Sequence, residues 1–201
     1  MARRNVEVRR EEILAATVAE VQRNGLAQTR VADVASVLGI SPALVFYHFE
    51  TKDRLLAEAF AYAAARDLVA LDKAVGRSGT AAQRLRAVLK LYSPAGSSPP
   101  GWTLWVDAWA AAMRSPELRK VSRRLDLRWK DAVAGIIEDG VRDGEFSCPD
   151  PHRAAWRITA LIDGLAIQVT VHRGVLSRGQ MAQWVAGLAE RELGLAEGSL
   201  A

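Results

Sequence analysis

Fourteen residues near the start of the chain, GISPALVFYHFETK at 39–52, carry side chains suited to gripping a phosphate backbone. Thr51 is placed to cap a helix, which puts Lys52 in a first turn where the helix macrodipole disfavours a cation. A phosphate at that spot would be drawn both by free helix N–H groups and by the lysine. Tyr47 and His48 each bring a hydrogen-bond donor that can reach neighbouring phosphates. Pro42, Ala43 and Leu44 offer only apolar surface, which suits thymine methyl groups better than bidentate base recognition. Phe49 fits the core of a small domain, and Phe46 fits a core or an outward position equally well.

These groups need a scaffold, and the flanking sequence supplies one. Ile13, Leu14, Thr17, Val18 and Val21 mark one face of a first helix that stops near Asn24-Gly25. Val31, Val34, Ala35 and Leu38 follow helical spacing and define a short second helix closed by Gly39. Ser41 is an N-cap and Pro42 a first helical residue, so a third helix begins almost at once. Ile40 between them is expected to pack inward. Two short helices joined by a Gly-containing turn form a helix-turn-helix unit. In such a unit the second helix enters the DNA major groove with its N-terminal residues, here 42–44, toward base edges. A fourth helix follows through Leu55, Leu56, Ala59, Phe60 and Ala63 to about Val75.

Helical periodicity continues to the end of the chain. Leu85, Val88, Leu89 and Tyr92 mark a fifth helix, and SPAGSSPPG at 93–101 reads as an irregular loop. WTLWVDAWAAAM follows, then a long helix from Pro116 bearing Leu118, Val121, Leu125, Trp129, Val133, Ile136 and Ile137. Asp150-Pro151 opens a helix reaching about Arg173, and Ser177 caps a last one ending near Gly194. No segment reads as a strand and none repeats. The expected fold is all-α with about nine helices.

Half of the 201 residues are hydrophobic and a quarter are charged, as in a globular protein with material for a sizeable core. No apolar run is long enough for a spanning helix, and the Arg-bearing N-terminus lacks the apolar stretch of a secretory signal, so a cytoplasmic location without membrane contact is expected. Cys148 is the single cysteine, which excludes an intrachain disulfide or a thiolate zinc site. The net charge of +4 is compatible with nucleic acid without proving it. Arg3, Arg4, Arg9 and Arg10 stand against Glu7 at the N-terminus. A second basic run holds Arg114, Arg119, Lys120, Arg123, Arg124, Arg128 and Lys130; the simplest reading is a solvated helix face.

The stretch TRVADVASVLGISPALVFYHFETKDRLL, 29–56, resembles the DNA-binding domain of the tetracycline-repressor family of bacterial regulators. The helical remainder is similar to the family's ligand-binding and dimerisation domain in length and helix count. The resemblance implies a DNA-binding domain over 1–53 and an effector-binding and dimerisation domain over 54–201. It puts Ser41, Pro42, Ala43, Leu44, His48 and Lys52 on DNA-contacting positions. Phe46 stands where Tyr is usual, so a hydroxyl bond to phosphate is missing there, and Tyr47 is the neighbour that can replace it. Thr29 and Arg30 lie where many members have two hydroxyl residues. Arg30 cannot form a capping box with Asp33 but can reach a phosphate.

Trp102, Trp105, Trp109 and Met113 share one helical stripe. With Phe60, Tyr92 and Trp129 they fit either a packed aromatic core or the lining of a cavity, and the resemblance implies a small effector in this domain. LWVDAWAAAMRSPELR and ALIDGLAIQ look most like the choline–betaine regulator subgroup, which suggests a cation held on aromatic faces. Asp107 lies roughly 140° around the helix from the Trp stripe and cannot easily join it. Asp163 or Glu58 would have to serve as its carboxylate.

The 150–173 helix carries two apolar arcs. Ile158, Leu161, Ile162, Leu165 and Val169 form one, and Trp156, Ala160, Ile167 and Val171 form another on nearly the opposite side. A helix apolar on both sides is buried on both sides. With Trp184, Val185 and Leu188 of the last helix, a four-helix interface between two identical chains follows. Such a homodimer would present two reading helices to a palindromic operator.

The resulting expectation is a ligand-responsive repressor without cofactor or metal. A DNA-binding regulator without effector is the alternative. An enzyme is disfavoured: there is no zinc motif and no nucleotide-binding glycine loop, and His48, His152 and His172 are widely separated.

Overall fold

The computed structural model describes residues 2–94 and 100–200, without the side chains of 2–5 and 100. Residues 95–99 of the expected loop, and the Arg3 and Arg4 side chains, thus lie outside the described residues. Within them the chain forms nine α-helices and no strand: α1 Ala2–Asn24, α2 Val31–Leu38, α3 Pro42–Phe49, α4 Lys52–Val75, α5 Ala81–Tyr92, α6 Pro100–Ala112, α7 Pro116–Arg142, α8 Pro151–Thr170 and α9 Arg178–Leu193. No single described helix is long and apolar enough to cross a membrane.

Helix ends follow local chemistry closely. Gly39 takes a left-handed φ of 63°, and the amides of Gly39 and Ile40 reach back to Ser36 and Ala35 carbonyls at 3.1 and 3.0 Å. The hydroxyls of Ser41, Thr51, Thr80 and Ser177 and the carboxylate of Asp150 each accept an amide from the first turn that follows. Two of these caps are full capping boxes, Thr80 with Gln83 and Ser177 with Gln180. Pro100 already opens α6, so the irregular stretch is shorter than its composition suggests. α8 ends at Thr170 rather than near Arg173.

The chain divides into two compact units, Met1–Asp67 with Pro100–Leu125, and Leu68–Pro99 with Asp126–Ala201. The division falls inside α4 and α7, and α6 belongs to the same unit as α1, α2 and α3. The head core contains Ile13, Val34, Val45, Phe49 and Leu55, all essentially inaccessible. Ile40 packs against it as expected. Removing Phe49 from water contributes about 2–3 kcal/mol, which fixes one side of α3 and leaves the other outward. In the second unit Leu85, Ile136, Ile137, Ile158, Ile162 and Met181 are fully buried. There Glu145 accepts the amides of Ala81 and Ala82 at 2.9 and 3.2 Å, placing an anion at the N-terminus of α5.

Candidate nucleic-acid interface and aromatic clusters

α2 and α3 are bent by 112° across the three-residue break at 39–41, the geometry of a helix-turn-helix. With Val45 and Phe49 buried, α3 turns Pro42, Ala43, Phe46 and Tyr47 outward. Tyr47 is the most open of these, at 75 % exposure, and Leu44 is half-buried. Ser41 is exposed but its oxygen is engaged with the Leu44 amide at 3.2 Å. The outward face is therefore apolar apart from the Tyr47 hydroxyl, with His48 beside it at a ring separation of 5.4 Å.

α3 passes to α4 through Glu50, whose φ of 63° and ψ of −51° close a γ-turn in which the Thr51 amide reaches the Phe49 carbonyl at 2.6 Å. This is the strained hand of the γ-turn. Glu50 also pairs with Arg54 at 2.6 Å, and the turn leaves Thr51 free to cap α4 from outside its first turn. Lys52 sits half-buried in that first turn with no ion pair among the described residues.

Two expectations for this face change. Thr29 is 1 % exposed and its hydroxyl donates to the Gly25 carbonyl at 2.9 Å, so it closes the α1–α2 turn from inside and cannot meet a phosphate. Arg30 beside it is exposed and stays available. Arg10, one of the N-terminal cations, is committed to the fold. It donates to the His48 carbonyl at 2.6 Å, pairs with Glu58, and lies 4.3 Å over the Phe49 ring. Partial burial, then the Arg10 and Arg9 charges, hold the His48 imidazole below its ordinary pKa.

The expected effector residues fall into two sets of contacts, one within each unit. In the first, the Phe60 and Trp105 rings meet edge to face at 4.9 Å, and Trp109 lies 5.9 Å from both Trp102 and Trp105. Phe60 is buried while the three tryptophans are half-buried. Met113 lies beyond the end of α6 and is exposed, so it leaves the stripe. Glu58 is taken by Arg10 and Arg54 and does not supply a free carboxylate. Asp107, as expected, is elsewhere: it accepts the Leu26 amide at 3.2 Å.

In the second unit, the Tyr92 hydroxyl donates to Asp163 at 2.9 Å and its ring meets Trp129 edge to face at 4.7 Å. Lys130, 5 % exposed, pairs with Asp126, stands 3.9 Å from Asp163, and lies 4.8 Å over the Trp156 ring. Burial carries the Asp163 carboxyl up to about 6, against the Tyr92 hydroxyl and the Lys130 ammonium, which favour its charged form. The phenol of Tyr92 is pushed up by burial and by the same carboxylate. The acidic residue expected to greet a cation thus already faces one, the buried lysine of the second basic run.

On α8, Ile158 and Ile162 face inward while Trp156 and Ala160 are exposed, and Ile167 is half-buried. Val171 lies just past the helix and is exposed. On α9, Trp184 is exposed and Leu188 half-buried, but Val185 is buried within the unit and drops out of the outer face. Trp156 and Trp184, 53 % and 51 % exposed, leave a large apolar surface uncovered. His172 is exposed past α8 and His152 pairs with Glu138 at 3.1 Å, away from His48 in sequence and partners. Among the described residues, no group of three or more His, Cys, Asp or Glu is placed to hold a metal ion.

Comparison with known proteins follows this division of labour. Residues 13–59 match the family described as bacterial regulatory proteins of the tetR family, and 81–194 match that of the BetI-type transcriptional repressor C-terminal domain. The HTH-type transcriptional regulator BetI of Paraburkholderia xenovorans is 32 % identical over 178 residues, covering 85 % of this chain and 84 % of that one. BetI of Stenotrophomonas maltophilia is 30 % identical over 190 residues, covering 90 % and 88 %. A transcriptional regulator from Saccharomonospora viridis, crystallised with choline, superposes with a TM-score of 0.83 at 29 % identity, covering 93 % and 98 %.

Proposed function

The chain belongs to the TetR family of bacterial transcriptional regulators, with a BetI-type C-terminal domain, and on that premise we propose that it is a cytoplasmic homodimeric repressor released from a palindromic operator by a small cationic effector. Its work is DNA binding rather than catalysis. The observation that carries this reading is the outward face of α3, anchored by Phe49 and flanked by Lys52 and His48, on the helix-turn-helix bend. Pro42, Ala43 and Leu44 meet base edges, and Tyr47, His48, Lys52 and Arg30 hold the backbone. The uncovered apolar surface of Trp156, Ala160, Ile167, Val171, Trp184 and Leu188 supports the dimer, whose two-fold axis would set the symmetry of the operator.

For the effector, the choline bound to the Saccharomonospora viridis relative supports a quaternary ammonium. Trp102, Trp105, Trp109 and Phe60 provide aromatic edges and faces for it. A quaternary ammonium has no N–H to satisfy, so it tolerates a site whose nearby carboxylates are engaged. Tyr92, Trp129 and Asp163 form a separate set of contacts within the second unit. The test is a mobility-shift titration with DNA from upstream of the protein's own coding sequence, in choline chloride and in potassium chloride of equal ionic strength. Selective release by choline supports the reading; equal release by both salts, or none by either, removes choline as the effector.

A further inference from the structure

The DNA-binding unit carries its excess positive charge in an unexpected place. Residues 1–67 contain nine Lys or Arg and nine Asp or Glu, so the head itself is neutral. Four of these nine cations are paired within it: Arg9 with Glu12, Arg10 with Glu58, Arg23 with Glu20, and Arg54 with Glu50 and Glu58. The rest of the same unit, residues 100–125, holds five Lys or Arg against Asp107 and Glu117. Asp107 is committed to the Leu26 amide.

These five cations gather at the corner between α6 and α7. Arg119 turns back and donates to the Ala112 and Met113 carbonyls at 3.0 Å each, closing the C-terminus of α6. Arg114, Lys120, Arg123 and Arg124 are exposed and have no ion pair among the described residues. Farther along α7 the pattern reverses, with Arg128 paired to Asp72 and Lys130 to Asp126. A solvated face of an ordinary helix would interleave acids with its bases; here pairing is absent only over the part of α7 that belongs to the DNA-binding unit. The corner is also tied to the reading head. Asp107, seven residues before Arg114 and so about 10 Å away along a helix, holds the turn that leads into α2.

We propose that the α6–α7 corner, through Lys120, Arg123 and Arg124, is a second anion-binding surface that contacts the DNA phosphate backbone beyond the helix-turn-helix. A polyanion is the partner that matches four unpaired exposed cations, and DNA is the polyanion this unit already engages. The surface adds affinity and salt dependence but no sequence preference, because phosphate contacts carry none.

The test is the salt dependence of binding to a 30-base-pair duplex of scrambled sequence, followed by fluorescence anisotropy between 50 and 200 mM KCl. The probes are the wild-type protein, the K120Q/R123Q/R124Q variant and the R123K/R124K variant. Each phosphate contact contributes about 0.9 to the slope of log affinity against log salt. Over this range the wild-type affinity should therefore fall about forty-fold more than that of the triple Gln variant. The Lys variant should follow the wild type, since a point charge suffices. Matching melting curves for all three proteins exclude a folding effect. Equal slopes for wild type and the triple Gln variant would overturn the proposal, whether the face then meets solvent or an acidic protein.

Discussion

The Asp107 carboxylate on α6 accepts the amide of Leu26, at the start of the turn into α2, across a distance of 3.2 Å. Gly25 precedes it at a φ of 80°, and a Cβ there would lie 3.4 Å from the same carboxylate oxygen. One side of α6 thus holds the reading head while its other side carries the aromatic cluster of Trp105 and Trp109. Replacing Asp107 by Ala leaves a buried donor without a partner, which costs about 1–3 kcal/mol. Hydrogen exchange at the Leu26 amide should accelerate markedly in Asp107→Ala and little in Asp107→Asn, which keeps an acceptor. Unchanged exchange in the Ala variant would show that the bond does not hold the turn.

The head was legible in the sequence because its decisive signals are local. Gly39, Ser41, Pro42 and Thr51 each act within four residues of where they stand, and spacing alone gives their roles. Thr29 was misplaced because the same hydroxyl serves a phosphate or a carbonyl behind it, and only the path of the α1–α2 turn decides. Arg10 and Lys130 read as members of basic runs, yet His48 and Glu58, which hold Arg10, and Asp163, which Lys130 faces besides its near neighbour Asp126, lie far away in sequence. The strain at Glu50 left no trace, since Glu is not a residue that announces a positive φ.

Lys52 should act on all DNA alike. Lys52→Ala is expected to lower affinity for operator and scrambled duplexes by the same factor and to reduce the salt slope by about 0.9. Anisotropy titrations on both duplexes check this. A loss confined to the operator would mean that Lys52 reads sequence.

His48 should make DNA binding pH-dependent. Its pKa is lowered in the free protein, by burial first and then by Arg10 and Arg9, so it is neutral at pH 7.5. A phosphate beside it favours the protonated ring, and binding then takes up a proton. Affinity should rise as pH is lowered from 7.5, and His48→Gln should flatten that rise. A wild-type profile as flat as the variant's would place His48 away from the backbone.

Asp163 should leave a signature in stability rather than in DNA binding. Its folded pKa of about 6 lies above the ordinary carboxylate value of 3.8. The folded state therefore binds more protons between those values, and the stability from Asp163 is full below about pH 4 and is lost as pH rises through 6. Asp163→Asn keeps an acceptor for Tyr92 and should gain stability relative to wild type across this window, by no more than about 3 kcal/mol. Urea unfolding at pH 4.5 and 7.5 measures the difference; a gain that does not grow with pH would remove the burial penalty assigned to this carboxylate.

In the proposed two-fold dimer, α3 of each protomer reads one half of a palindrome. Footprinting of the purified protein on DNA upstream of its own coding sequence tests this most directly. Protection is expected at two inverted half-sites, their centres one helical turn, about 34 Å, or more apart, abolished together by Tyr47→Ala with Ala43→Glu. Protection of no sequence above the non-specific background, or of a single unrepeated site, would contradict it.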